Sequence, residues 1–306
     1  MFAAGRRKRH LGRVLHREPA APFANMKILA PAKVNLSLRV LGRREDGFHD
    51  IESLIVLVSV FDRLDLDRTD AGGIAFTCSE PEVPTDDTNL VVRAARSFCN
   101  AFHVPPNLRI ALHKEIPHGA GLGGGSSDAA ATLLALDQIF STKAPRATLH
   151  RLAADLGSDV PFFLDRSPAR VDGRGENVTP CEFPHTLPLL LIKPPFGVPT
   201  PWAYRQWRDS LEIPGVRYDA QRFPWGALVN DLERPVFEKY IFLADVKTWL
   251  LAQPEVAGAL MSGSGATVFA VLREKAHGET LREKVLAEFG PNLWCRAAET
   301  LASTPR

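Results

Sequence analysis

Five glycines fall within seven residues at Gly119-Ala120-Gly121-Leu122-Gly123-Gly124-Gly125, directly ahead of a run that reads as helix. Glycine lets backbone N–H groups come close to an anion, and a helix start adds unpaired donors and a favourable dipole. This pattern suits the cradling of a phosphate chain by Pro117-His118-Gly119-Ala120-Gly121-Leu122-Gly123-Gly124-Gly125-Ser126-Ser127. No Gly-Lys-Ser/Thr closes the loop, so it is not a Walker A sequence, nor does it follow the dinucleotide-binding G-x-G-x-x-G pattern. Ser126 and Ser127, at the helix start, suit either capping or a hydroxyl placed on a magnesium ion or phosphate oxygen.

Other ionisable residues carry weaker signals one at a time. Lys33, in Pro31-Ala32-Lys33-Val34-Asn35, lies on a strand pattern where most lysines are solvated. Asp159 follows Gly157-Ser158 in the position of an ordinary helix N-cap. Lys114, just before the loop, reads equally as a nucleotide contact or as a solvated strand end. His49, taken by residue type alone, reads as a surface-turn histidine.

The elements that must hold these residues follow from periodicity. Short strands are expected at Lys27–Leu29 and Val34–Val40, then at Ile51–Val60, Asp62–Asp67 and Ile74–Cys78. A helix over 89–102 is expected, capped by Asp87 or Thr88, followed by a strand over Leu108–His113. The glycine loop therefore sits between a strand and a helix over Ser126–Phe140. Helix 147–156, the apolar segment Val160–Leu164 and a hairpin over Ala169–Thr179 complete this part. Beyond it, Leu187–Ile192, Ala266–Leu272 and Leu293–Ala297 read as strands, and Trp202–Arg208, Val246–Leu251 and Thr280–Phe289 as helices.

At 306 residues, two domains sharing a cleft are expected. The proline-rich stretch Pro180 to Pro188 places the break near His185, giving domains over 26–184 and 185–306. Hydrophobic content of 45% with 24% charged residues excludes disordered and fibrous classes. Net charge is +2, and much of the basic excess is Arg6, Arg7, Lys8, Arg9, Arg13 and Arg17. Residues 1–25 read as a disordered basic extension rather than a targeting peptide, being poor in serine and lacking a long apolar stretch. No basic stripe interleaved with aromatics appears, so neither a nucleic-acid nor a membrane partner is expected. Cys78, Cys99, Cys181 and Cys295 lie far apart with no metal-ligand spacing, which suits a cytoplasmic, reducing setting.

Taken together, Pro31-Ala32-Lys33-Val34-Asn35-Leu36, the glycine loop with Asp128-Ala129-Ala130, and Leu156-Gly157-Ser158-Asp159-Val160-Pro161-Phe162 resemble the GHMP kinase superfamily. Asp46-Gly47-Phe48-His49 and Met261-Ser262-Gly263-Ser264-Gly265-Ala266-Thr267 are similar to members acting on 4-diphosphocytidyl-2-C-methyl-D-erythritol. Gly173-Arg174-Gly175-Glu176, Pro194 with Val198 and Thr200, and Asn230-Asp231-Leu232-Glu233 also stand at family-like positions.

The resemblance implies an α+β, two-domain fold: a ribosomal S5 domain 2-like N-terminal domain and a ferredoxin-like C-terminal domain, with the active site between them. It implies ATP and Mg2+, with metal ligands left unassigned. Asp159 would be the general base and Lys33 its cationic neighbour; the loop, with Lys114, would hold ATP. Asn35, Phe48, His49 and Thr200 would contact the small-molecule substrate. Phenylalanine at 48 departs from the tyrosine common in the family, keeping a stacking face and losing a hydroxyl. Two rivals stay open: another alcohol such as homoserine or mevalonate, and a catalytically silent nucleotide-binding protein. The turn Ser262-Gly263-Ser264-Gly265 reads either as closing on substrate phosphates or as a tight connection.

Overall fold

The computed structural model describes residues 25–302; the basic extension read over 1–25 lies, but for its last residue, outside the described residues. In chain order the elements are β1 (Met26–Arg43), β2 (His49–Arg68), β3 (Ile74–Cys78), α1 (Leu90–Phe102), β4 (Leu108–His113), α2 (Gly124–Phe140) and α3 (Arg146–Leu156). There follow α4 (Val160–Asp165), β5 (Ala169–Gly173), β6 (Asn177–Pro180), β7 (Pro188–Lys193), α5 (Thr200–Gln206), β8 (Gln221–Phe223) and β9 (Gly226–Asn230). The chain ends with α6 (Glu233–Lys239), α7 (Ile241–Leu251), β10 (Val256–Met261), β11 (Val268–Leu272), α8 (His277–Phe289) and β12 (Trp294–Glu299).

Two sheets result. The first runs β3-β4-β2-β1-β9-β8, with the β5–β6 hairpin attached to β2; the second runs β10-β11-β7-β12. The pairs of strands expected at the start are each one continuous strand. β1 carries register shifts at Pro31/Ala32 and Asn35/Ser37, where the irregular pairing resembles a strand break in sequence. Neither Asp87 nor Thr88 caps α1; the carboxamide of Asn89 accepts from Val91 N–H at 2.8 Å. The segment 160–165 is a short helix.

The core explains the layering. Alternating residues of β7 face opposite ways: Leu189 and Leu191 meet Val34, Leu36, Val56 and Val58 between the sheets, while Leu190 and Ile192 face α7 and α8. On the far side of the first sheet, Ala129, Ala130, Leu133 and Leu136 of α2 pack with Phe98 of α1 and Leu64 and Leu66 of β2. Alanines on that face let α2 lie close to the sheet. Fully burying each larger apolar side chain contributes roughly 1.5–3 kcal/mol. No helix among the described residues is long and apolar enough to cross a membrane.

The later half of the chain reaches back into the first sheet. β8 and β9, although C-terminal to His185, join the first sheet, where β9 pairs in parallel with Ser37 and Leu38 of β1. Behind β9, Glu233 and Lys247 form an ion pair at 2.5 Å with side chains 1% exposed, and Glu233 also accepts from Met261 N–H at 2.9 Å. Burial raises the Glu233 pKa, and the Lys247 ammonium opposes that rise. Replacing Lys247 with Met leaves this carboxylate buried without a counter-charge, so Lys247→Met should lower unfolding free energy by about 3–5 kcal/mol in guanidinium titration. A loss under about 1 kcal/mol would show that Glu233 finds its neutralising partner elsewhere.

Candidate active site

Strand periodicity places Lys33 and Asn35 opposite Ala32, Val34 and Leu36, which are fully buried between the sheets. Lys33 and Asn35 therefore turn together toward the glycine loop. Lys33 Nζ donates to Asn35 Oδ1 at 2.6 Å, and Asn35 Nδ2 donates to Ser53 Oγ at 2.8 Å. Asp159 stands at the N-cap position of α4 but makes no capping bond with its side chain. Its Oδ2 lies 3.9 Å from Lys33 Nζ, and its side chain is 43% exposed against 6% for Lys33. Burial lowers the Lys33 pKa, and the Asp159 charge holds part of it back.

The loop is built as a chain of alternating backbone conformations. Gly121 and Gly123 have φ of +75° and +72°, and Gly119 has +62°, while the side chains of Ala120 and Leu122 anchor in the core between the sheets. Such alternation gathers successive N–H groups on one side, the anion-binding concavity known as a nest. Gly123 takes the cap position of α2, so neither Ser126 nor Ser127 caps it. The three carbonyls of Ala120, Gly121 and Leu122 accept from Thr267 N–H at 3.1 Å, Ser262 Oγ at 3.0 Å and Lys33 N–H at 2.9 Å. Among the described residues none of the N–H groups from 119 to 126 donates to a protein acceptor. They remain free for a ligand.

Two cavities meet at this loop. One, of about 370 Å³, is lined by Pro117, His118, Gly119, Ala120, Gly121 and Gly123–Ser126 together with Lys114, Val83 and Leu90. The other, about 600 Å³, joins Lys33, Asn35, Phe48, His49, Asp159 and Thr200. Gly121 and Gly123 line both. Leu122 and Ser127 turn inward, 1% exposed each. Lys114 is not a solvated strand end, since its side chain is only 7% exposed and lies between Asp62 and Asp128.

The larger cleft is aromatic at its far end. Phe48 is exposed, with the Arg174 guanidinium 5.0 Å from its ring centre. His49 is buried against Tyr204 at 5.5 Å and the edge of Trp207 at 6.2 Å. Burial, then the Arg43 charge, lowers the His49 pKa, and burial raises that of Tyr204. His49 is thus not a solvated surface histidine. Thr200 Oγ1 bonds Ser264 Oγ at 2.7 Å, tying α5 to the second glycine turn. That turn does pack on the loop, because a Cβ on Gly121 would lie 2.8 Å from Gly265 O and closer still to Ser262 O.

Tyr204 and Ser262 were not among the candidates from sequence. Tyr204 follows Thr200 by four residues on α5, a spacing that shares one helix face and would have flagged it. Ser262 lay inside a quoted motif, but its bond to a loop 141 positions away carries no sequence signal.

The family described as GHMP kinases N terminal domain matches residues 89–166, and GHMP kinases C terminal matches 224–292. The chain is 43% identical over 277 residues to a 4-diphosphocytidyl-2-C-methyl-D-erythritol kinase of Methylacidiphilum infernorum, covering 89% of this chain and 96% of that one. It is 38% identical over 274 residues to the protein so named in Syntrophus aciditrophicus, covering 88% and 96%. Its fold matches a crystal structure of 4-(cytidine 5'-diphospho)-2C-methyl-D-erythritol kinase with a TM-score of 0.76 at 36% identity, covering 90% of this chain and 100% of the other. A homoserine kinase from Cytophaga hutchinsonii shares the fold at TM-score 0.62 and 18% identity, covering 94% and 97%.

Gly121→Ala should disrupt the joint between loop and turn, since it adds both a clash and a strained φ. We expect a stability loss of about 1–3 kcal/mol by thermal unfolding. Gly119→Ala, with open space around its Cβ, should cost only the backbone strain of roughly 1 kcal/mol. Equal losses in the two variants would mean that the packing against Ser262 and Gly265 has no energetic weight.

Proposed function

The chain belongs to the GHMP kinases, and from that membership we propose that it transfers the γ-phosphoryl group of ATP to the 2-hydroxyl of 4-diphosphocytidyl-2-C-methyl-D-erythritol. This is a step in making isoprenoid precursors by the non-mevalonate route. One observation carries the reading: the two cavities meet at Gly121 and Gly123, with Lys33 and Asp159 beside the junction and an aromatic end beyond. A nucleotide in the smaller cavity would present its terminal phosphate there, and an alcohol in the larger one its hydroxyl.

In this reading Asp159 accepts the hydroxyl proton as the oxygen bonds to the γ-phosphorus and the bond to the β-phosphate oxygen breaks, releasing ADP. Its exposure suits the role, because a carboxylate open to the cleft can reach substrate, whereas a capping one is occupied. Lys33, held by Asn35, places positive charge where negative charge develops on the transferred group. The free N–H groups of the loop bind the phosphates. Asn35 and Thr200 would orient the alcohol; Phe48 supplies a stacking face, and His49 and Tyr204 supply a ring wall with polar atoms for the base edge.

Magnesium fits in a limited way. Among the described residues no group of three or more His, Cys, Asp or Glu could hold a metal, but Mg2+ bound to a nucleotide needs few protein oxygens. Ser126, whose residue lines the smaller cavity with no role in capping, would supply such an oxygen. Bound there, the ion would neutralise phosphate charge. The four cysteines are free thiols, which supports a reducing, cytoplasmic setting.

ADP release should be strong with ATP, Mg2+ and 4-diphosphocytidyl-2-C-methyl-D-erythritol and at background with homoserine or mevalonate; turnover of either alcohol in its place would move the substrate. Asp159→Asn should lower kcat by about 10²–10⁴-fold while ATP still binds. An unchanged kcat would remove Asp159 from its role. The lowered His49 pKa means that the imidazole is mostly neutral at pH 6.5, the value for a free ring, and increasingly so above it. As pH falls through the depressed pKa, protonation charges the buried ring. KM for the cytidyl substrate should therefore be lowest on the alkaline side of pH 6.5 and rise as pH falls below it. A KM that is lowest on the acid side of that value would sink the neutral-imidazole assignment.

A further inference from the structure

Lys114 is a buried lysine with two aspartates on it. Nζ donates to Asp62 Oδ2 at 2.5 Å and to Asp128 Oδ2 at 2.9 Å, and the Asp62 side chain is fully buried. The other oxygen of Asp62 accepts from Glu115 N–H at 2.6 Å and Ile116 N–H at 2.9 Å, the residues leading into Pro117. Asp128 lies in α2, and a Cβ on Gly124, the first residue of that helix, would sit 3.0 Å from Lys114 Nζ. One ammonium group thus joins the entry of the phosphate loop to its exit.

We propose that Lys114 is a positioning residue for the phosphate loop, acting through Asp62 and Asp128, and not a ligand of the nucleotide. An ammonium has three donors, and two are already spent on carboxylates. Pulling it toward phosphate would strip the fully buried Asp62 carboxylate of its counter-charge and Asp128 of its donor, a costly exchange. Held where it is, it fixes the distance between 115 and 124, and with it the curvature that points the loop's N–H groups one way. Asp62 is conspicuous in β2 for the same reason: it stands on the face that also buries Leu64 and Leu66. This inference rests on the reading of the loop as an ATP phosphate site.

The test is calorimetric titration of ATP into the full chain and into Asp128→Asn, Lys114→Met and Lys114→Arg, beside thermal unfolding and KM for the alcohol. Asp128→Asn keeps the side-chain shape and leaves Lys114 paired with Asp62. It should stay folded yet bind ATP about five-fold or more weakly, with KM for the alcohol within about two-fold of wild type. Lys114→Met should weaken ATP at least as much, and Lys114→Arg, which can still reach both carboxylates, should recover most of the loss. A merely structural role would lower the unfolding temperature without separating the two substrates. ATP binding unchanged or tightened in Asp128→Asn would overturn the proposal, tightening being the sign of a freed lysine meeting phosphate. If Lys114→Met does not fold, the other two variants decide. Wild-type protein that binds no ATP would overturn the phosphate reading itself, and this inference with it.

Discussion

A loop that offers its N–H groups to an anion cannot use them to hold itself in shape, so its carbonyls must be held from outside. Here three consecutive carbonyls are taken by two distant parts of the chain: Ala120 and Gly121 by Thr267 and Ser262 of the second glycine turn, and Leu122 by Lys33 of β1. The rest of the site depends on this arrangement. It places the N–H of Lys33 against the loop, and so fixes where the ammonium at the end of that side chain lies. The second glycine turn must come just as close, and a side chain at Gly121 would keep it away.

Support for the turn runs deep into the second half. Asn230 donates to the carbonyls of Met261 and Gly263 at 2.7 and 2.8 Å, and Glu233 holds Met261 N–H from behind. Ser262 Oγ accepts from Asn35 N–H at 3.4 Å while donating to Gly121. One hydroxyl therefore touches the strand carrying Lys33 and the glycine loop that lines both cavities. The electrostatics follow the same plan, with the desolvated Lys33 held in place beside the carboxylate of Asp159, which is left open to the cleft.

Much of this was legible in the sequence, and the limits have physical causes. The glycine run followed by an alanine-rich helix marked the tight loop and α2, and strands such as Leu108–His113 were bounded by their own period. β8, β9, α6 and β10 went unread because three are short and β10 is buried on nearly every residue, which removes the alternation that marks a half-exposed strand. Lys33 and Asp159 were weak singly and became a pair only through family resemblance, since no periodicity brings residue 33 to residue 159. Lys114 was ambiguous for a similar reason: its two partners come from other elements. The break placed near His185 followed the prolines, yet proline marks where the backbone turns, not which sheet the chain joins next.

That return of β8 and β9 to the first sheet bears on how such a molecule can be rebuilt. A chain whose halves met only across a cleft could be cut at the proline-rich stretch and recombined with foreign partners, each half trading specificity like a cassette. Here the later half contributes strands to the earlier one, and β9 needs Ser37 and Leu38 as its template. Exchange by recombination must carry β1 and β9 together, so new acceptor alcohols are more accessible through point changes at the aromatic end of the cleft than through swapped segments.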